Sequence, residues 1–101
     1  MQFTLDTPMS EVPGTRFNYC CGASHLLSAI VQETTDMTTL DFARTHLFGP
    51  LGIPDPIWPT DPQGYNRGWG DLLLTPHDMA KIGFLYLNEG LWEGRQVASS
   101  A

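Results

Sequence analysis

Basic residues are scarce. One lysine, Lys81, and four scattered arginines face 11 acidic residues, so the 101-residue chain carries a formal charge of −6. So few cations cannot build the basic stripe that a nucleic acid or an anionic membrane surface requires. Charged residues of both signs amount to 16%, against about 25% in typical globular chains. No apolar run reaches the roughly 18 residues of a membrane-spanning helix. The start, Met1-Gln2-Phe3-Thr4-Leu5-Asp6, lacks the basic and apolar regions of a signal peptide, and the compartment stays open. There are two cysteines, and they are adjacent, Cys20-Cys21. Neighbouring Cα atoms stand about 3.8 Å apart, closer than disulfides usually bridge, so two small buried free thiols are expected.

Regular structure is also limited. Gly and Pro gather in Pro8–Gly14 and again in Gly49–Gly70, where Pro54-Asp55-Pro56-Ile57-Trp58-Pro59-Thr60-Asp61-Pro62 excludes helix. Trp58, Tyr65 and Trp69 make that stretch too aromatic for a disordered linker. Three helices are predicted around these loops. The first covers about 22–34, with Ala23, Leu26, Leu27, Ile30 and Val31 on an apolar face and Ser24 and His25 on the polar one. The second covers about 39–48, capped by Thr38 with Asp41 at N3 and stopped by Gly49-Pro50. The third starts with Thr75 as N-cap, Pro76 at N1 and Asp78 at N3, and runs to about Asn88. Its apolar residues nearly encircle it, as in a helix interior to a larger protein. No hairpin is predicted, although Leu72–Leu74 and the segment after Gly90 fit short strands. No stabilising element is expected at the start of the chain.

Most catalytic and binding patterns are missing. Lys81 is preceded at three residues by Asp78, so no Ser-x-x-Lys pairs a nucleophile with its base. Gly22-Ala23-Ser24-His25-Leu26 starts like a nucleophile elbow, but Leu26 occupies the second glycine position. Cys20, Cys21 and His25 have no second ligand pair at zinc spacing, and His46 and His77 are isolated, so no metal site is expected. Gly68-Trp69-Gly70 lacks the remainder of a phosphate loop, and no cofactor is expected. Trp58, Trp69 and Trp92 read as loop anchors, with ligand stacking by Trp69 the lesser alternative. Tyr19 lies between a Pro-Gly turn and a helix N-terminus, where a phenol suits either a structural or a cleft-facing role.

Four blocks together resemble the serine β-lactamase-like superfamily, which includes class C β-lactamases, D-alanyl-D-alanine carboxypeptidases, esterases and 6-aminohexanoate-dimer hydrolases. They are Pro13–Tyr19 with Gly22–Ile30, Leu47–Ile53, Gly64–Gly83, and Leu91–Val97, in the family's order. The resemblance implies a mainly α fragment, three helices plus long Pro/Gly-rich loops, of an α/β β-lactamase/transpeptidase-like fold. Residues 1–101 would form a partial domain, the helical subdomain region. The family's Ser-x-x-Lys would lie upstream and its His-x-Gly or Lys-Thr-Gly strand downstream. By the same resemblance Tyr19 falls at the proton-shuttling tyrosine of the Tyr-x-Asn motif. Cys21 takes that motif's third position as a substrate-binding residue. A thiol replaces an amide that hydrogen-bonds substrate, which sets an ester or simple amide beside a lactam as the substrate.

The expected function is therefore that of a segment of an acyl-enzyme hydrolase, silent as an isolated chain and completed by the parent's flanking segments. The expected partner is a small-molecule ester, amide or lactam. Two alternatives are a free-standing helical binding module with an exposed apolar surface, and an independent thiol enzyme using Cys20 or Cys21.

Overall fold

Capping decides where the helices begin. Thr38 Oγ1 accepts from the Asp41 amide, and Thr75 Oγ1 accepts from the Asp78 amide, each at 3.1 Å. In the computed structural model, which describes residues 1–100, these threonines start α3 (Thr39–Ala43) and α5 (Pro76–Leu87), with Pro76 in the first turn of α5. The longest helix, α2 (Cys21–Thr35), ends at Asp36 in the left-handed conformation. These elements bear out the three predicted helices to within a residue or two at their starts.

The second helix does not stop at Gly49-Pro50. After α3 the chain makes a π turn over Arg44–Phe48 and continues as α4 (Gly49–Leu51). The wider turn lets Pro50 sit in the opening turn of a new α segment, where its missing N–H costs nothing. The stop falls at Gly52, with φ +70°, where the Gly52 and Ile53 amides bond the Gly49 and Phe48 carbonyls at 3.0 and 2.9 Å.

Two further features complete the fold: a helix the sequence reading did not expect, and strand structure after Gly90, which it allowed, closed into a hairpin it did not predict. A short helix, α1 (Gln2–Asp6), heads the chain and presses Thr4 against Gly22, where a Cβ would meet Thr4 Oγ1 at 2.6 Å. A two-stranded hairpin pairs β1 (Leu91–Trp92) with β2 (Arg95–Gln96). Its turn residues, Glu93 and Gly94, both have positive φ, as the tightest hairpin turns require. Leu72–Leu74 forms no strand beyond a single bridge, Ile57 to Leu73.

The buried apolar core is small: Ala43, Phe48, Leu51, Ile53 and Leu85, with Leu40, Leu47, Leu72, Leu74, Ile82, Trp92 and Val97 packed around it. It joins the α3–α4 turn to one face of α5. Lys81 reinforces that junction by donating to Gly52 O at 3.0 Å and pairing with Asp78 at 3.3 Å. The rest of α5 is bare, with Met79, Phe84, Tyr86 and Leu87 all more than half exposed. The accessible surface is 7290 Å², whereas a compact monomer of 11.2 kDa exposes about 5,700 Å². The predicted interior helix therefore has its apolar circumference and lacks most of its cover.

The proline-rich stretch is ordered by side chains. Asn66, 2% exposed, accepts from the Leu40 amide at 2.9 Å and donates to Trp58 O at 2.8 Å. It ties both limbs of the loop to the start of α3. Replacing it strands two backbone groups, each costing about 1–3 kcal/mol when buried without a partner. Asn66→Ala is expected to lower the stability of the purified chain by about 2–4 kcal/mol in urea unfolding. A loss under about 0.5 kcal/mol would show that the loop does not depend on this side chain.

Candidate functional site

The site is best built from α2. Its sequence suggested an apolar inner face and a polar outer one, and the structure reverses this. Leu27 and Ile30 are 62% and 56% exposed, while His25 and Ser28 are buried. The reason is that the start of α3 and the proline-rich loop offer this side of α2 hydrogen bonds. Ser28 Oγ meets Thr39 Oγ1, at the start of α3, at 2.8 Å. His25 Nε2 meets Asp61 Oδ2 at 2.6 Å, and His25 Nδ1 accepts from the Gly68 amide at 3.1 Å. With Nδ1 serving as acceptor, the network assigns the ring proton to Nε2, which donates to the carboxylate.

Asp61 is saturated. Its second oxygen accepts from the Gln63 and Tyr65 amides at 2.9 and 3.0 Å. The two side chains of the pair are only 7% and 9% exposed. Burial pushes the Asp61 carboxyl up, but the His25 bond, the two amides and the charge His25 carries when protonated outweigh it, so the carboxyl lies below its ordinary value. Next to it, Tyr65 donates to Glu33 at 2.8 Å, and that bond with the Glu33 charge raises its phenol above the usual value.

His25 and the loop backbone lie close together. A Cβ on Gly68 would collide with Ser24 O and come within 2.7 Å of His25 Cα, so only glycine fits there. Trp58 Nε1 donates to Arg67 O at 2.8 Å, and the Arg67 amide donates to Pro59 O at 3.0 Å. Trp69 follows, its ring edge-on to His25 with centroids 4.8 Å apart, 40% exposed.

The residues singled out by resemblance sit at the open end of α2. Tyr19 is 60% exposed and precedes Cys20, the N-cap residue. Cys21 is the first helical residue, and both thiols are exposed and free, not buried as expected. Helical spacing puts Cys21 on the same face as His25, one turn away. Tyr19 and Cys21 thus share the N-terminal end of α2. Sequence reasoning missed His25, Asp61 and Gly68 as a unit. No spacing rule links positions 36 and 43 residues apart, and the sequence reads His25 only as a surface or hydrogen-bonded residue on the polar side of a helix, with no partner named. Among the described residues, no group of three or more His, Cys, Asp or Glu is placed to hold a metal ion.

A folded-state carboxyl below its unfolded value contributes stability above about pH 4, lost as pH falls through the folded value. Asp61 should therefore make the chain lose stability from near pH 4 downward. Asp61→Asn should flatten that part of the profile in thermal melts between pH 2.5 and 7. An unchanged acid limb would show that the carboxylate is not held by these bonds.

The description "Beta-lactamase" belongs to the family model that matches residues 1–100. The 6-aminohexanoate-dimer hydrolase of Paenarthrobacter ureafaciens is 27% identical over 84 residues, which cover 82% of this chain and 21% of that protein. The chain thus spans about a fifth of the length of this curated relative. With the helical scaffold, the Tyr19 block and the later blocks all inside the matched range, the chain belongs to the β-lactamase family.

Proposed function

We propose that the chain is the tyrosine-bearing segment of a serine hydrolase that cleaves a small ester, amide or lactam through an acyl-enzyme. The observation that carries this reading is the place of Tyr19: exposed, one residue before the N-cap of α2, inside the range matched by the family. The similarity to a hydrolase supports it further.

The 101 residues hold no Ser-x-x-Lys, so the nucleophile and its lysine come from flanking sequence of a longer parent. In the reaction, the serine oxygen adds to the substrate carbonyl and loses its proton to the Lys–Tyr19 pair. The leaving oxygen or nitrogen takes that proton as its bond to carbon breaks. Water then attacks the acyl-serine, giving up a proton by the same route, and the acid departs as the serine is restored. Tyr19 moves protons at its phenol oxygen. Cys21 lines the cleft one turn from His25; its thiol is a weak donor and acceptor, which favours esters over substrates whose amide must be gripped. The only lysine present, Lys81, is engaged by Gly52 and Asp78 and has no part in this chemistry.

A second reading, a non-catalytic module that docks a partner through apolar surface, draws on the exposed Phe84, Tyr86 and Leu87. The two readings separate in one experiment. The parent reading frame is expressed whole and assayed on p-nitrophenyl esters, and Tyr19→Phe is expected to lower turnover by about 10²–10⁴-fold, the range for a positioned proton-transfer group. The isolated chain is expected to show no turnover above buffer. Equal rates for wild type and Tyr19→Phe, or turnover by the isolated chain, would overturn the assignment.

A further inference from the structure

The three tryptophans are held in different ways. Trp58 is an anchor: partly buried, its indole N–H is used on Arg67 O. Trp92 packs edge-on against Phe84, centroids 5.9 Å apart. Trp69 is fixed by its surroundings yet open. Its neighbour Gly68 is pinned on Ser24 and His25, its ring abuts the His25 ring, and the Arg67 guanidinium stands 5.9 Å from its centroid. Among the described residues its indole N–H makes no hydrogen bond, and the side chain is 40% exposed. The loop carrying it is locked by His25–Asp61 and by Arg67–Asp71 at 3.1 Å.

Two features give this indole a direction. Cys21 and His25 occupy successive turns of one face of α2, about 6 Å apart at Cβ, and Trp69 leans on His25 from the loop side. Through its contact with the His25 ring, Trp69 is thereby placed on the side of α2 that carries Cys21. The local charge is also balanced: Arg67, the cation over the ring, is paired with Asp71, and Asp61 is paired with His25.

We propose that Trp69 is a specificity-determining residue: a preset indole wall that takes the apolar, uncharged part of the substrate while Tyr19 serves the carbonyl. This rests on the hydrolase reading above. It narrows the substrate class to esters or amides with an alkyl chain or ring next to the scissile bond. Because His25 and Gly68 fix the ring beforehand, little ordering is lost on binding.

The test uses the whole parent enzyme and two esters, p-nitrophenyl hexanoate and methyl acetate. Trp69→Ala is expected to raise KM for the hexanoate about tenfold, as loss of one aromatic contact does, with kcat within twofold. For methyl acetate, kcat/KM should stay within twofold. Trp69→Phe, which retains an aromatic ring, should recover most of the hexanoate KM. An equal loss on both esters would mark Trp69 as a scaffold residue, and no loss on either would remove it from the site; both overturn the proposal. Failure of the underlying reading looks different. Wild-type parent would then turn over neither ester, or Tyr19→Phe would keep full activity, and the role of Trp69 would fall with it.

Discussion

A buried bond of 2.6 Å between His25 and Asp61 joins the first long helix to a loop that has no regular structure of its own. The loop from Asp61 to Gly68 is arranged around it. Asp61 gathers the Gln63 and Tyr65 amides on its other oxygen, which turns the chain after Pro62. His25 takes the Gly68 amide on its other nitrogen, which sets the loop backbone on the helix. The neighbouring Asn66 repeats the device toward α3. Prolines at 54, 56, 59 and 62 deny this stretch a ladder of backbone bonds, so side chains provide the order instead.

The same economy explains which parts of the fold were legible. Thr38 and Thr75 carry their cap signals within four residues, and both helices start where those signals place them. Local signals failed where the deciding feature leaves no mark in the sequence or the partner is distant. Gly49-Pro50 read as a stop because the π turn that accommodates Pro50 leaves no mark in the periodicity. The Glu93-Gly94 turn lacks the Asn-Gly or Asp-Gly pair that announces a hairpin. The partners of His25 could not be named because they lie 36 and 43 residues on. The apolar stripe of α2 was correctly located, yet Leu27 and Ile30 face outward, since the loop binds the polar side of the helix.

That inversion bears on function. A helix with buried histidine and serine on one side and exposed leucine and isoleucine on the other has room for a second covering layer. The bare flank of α5 and the large accessible area say the same. Family membership supplies a reason for such faces, because the chain matches only a fifth of its curated relative's length. The Tyr19–Cys21 end of α2 is exposed, and the neighbouring loop is held on the helix by the His25 bonds to Asp61 and Gly68. Of the proposed site, Tyr19 and Cys21 were legible through motif resemblance, whereas the wall formed by His25, Gly68 and Trp69 required the fold.

The most direct measurement of this dependence is a double-mutant cycle on His25→Ala and Asp61→Ala, read by urea unfolding at neutral pH. The buried pair predicts that the two losses fall short of additivity by about 1.5–3 kcal/mol, since either substitution alone already strands the other group. Losses that add to within about 0.5 kcal/mol would mean that helix and loop are held together by something other than this bond, and would remove the basis for the proposed preset role of Trp69.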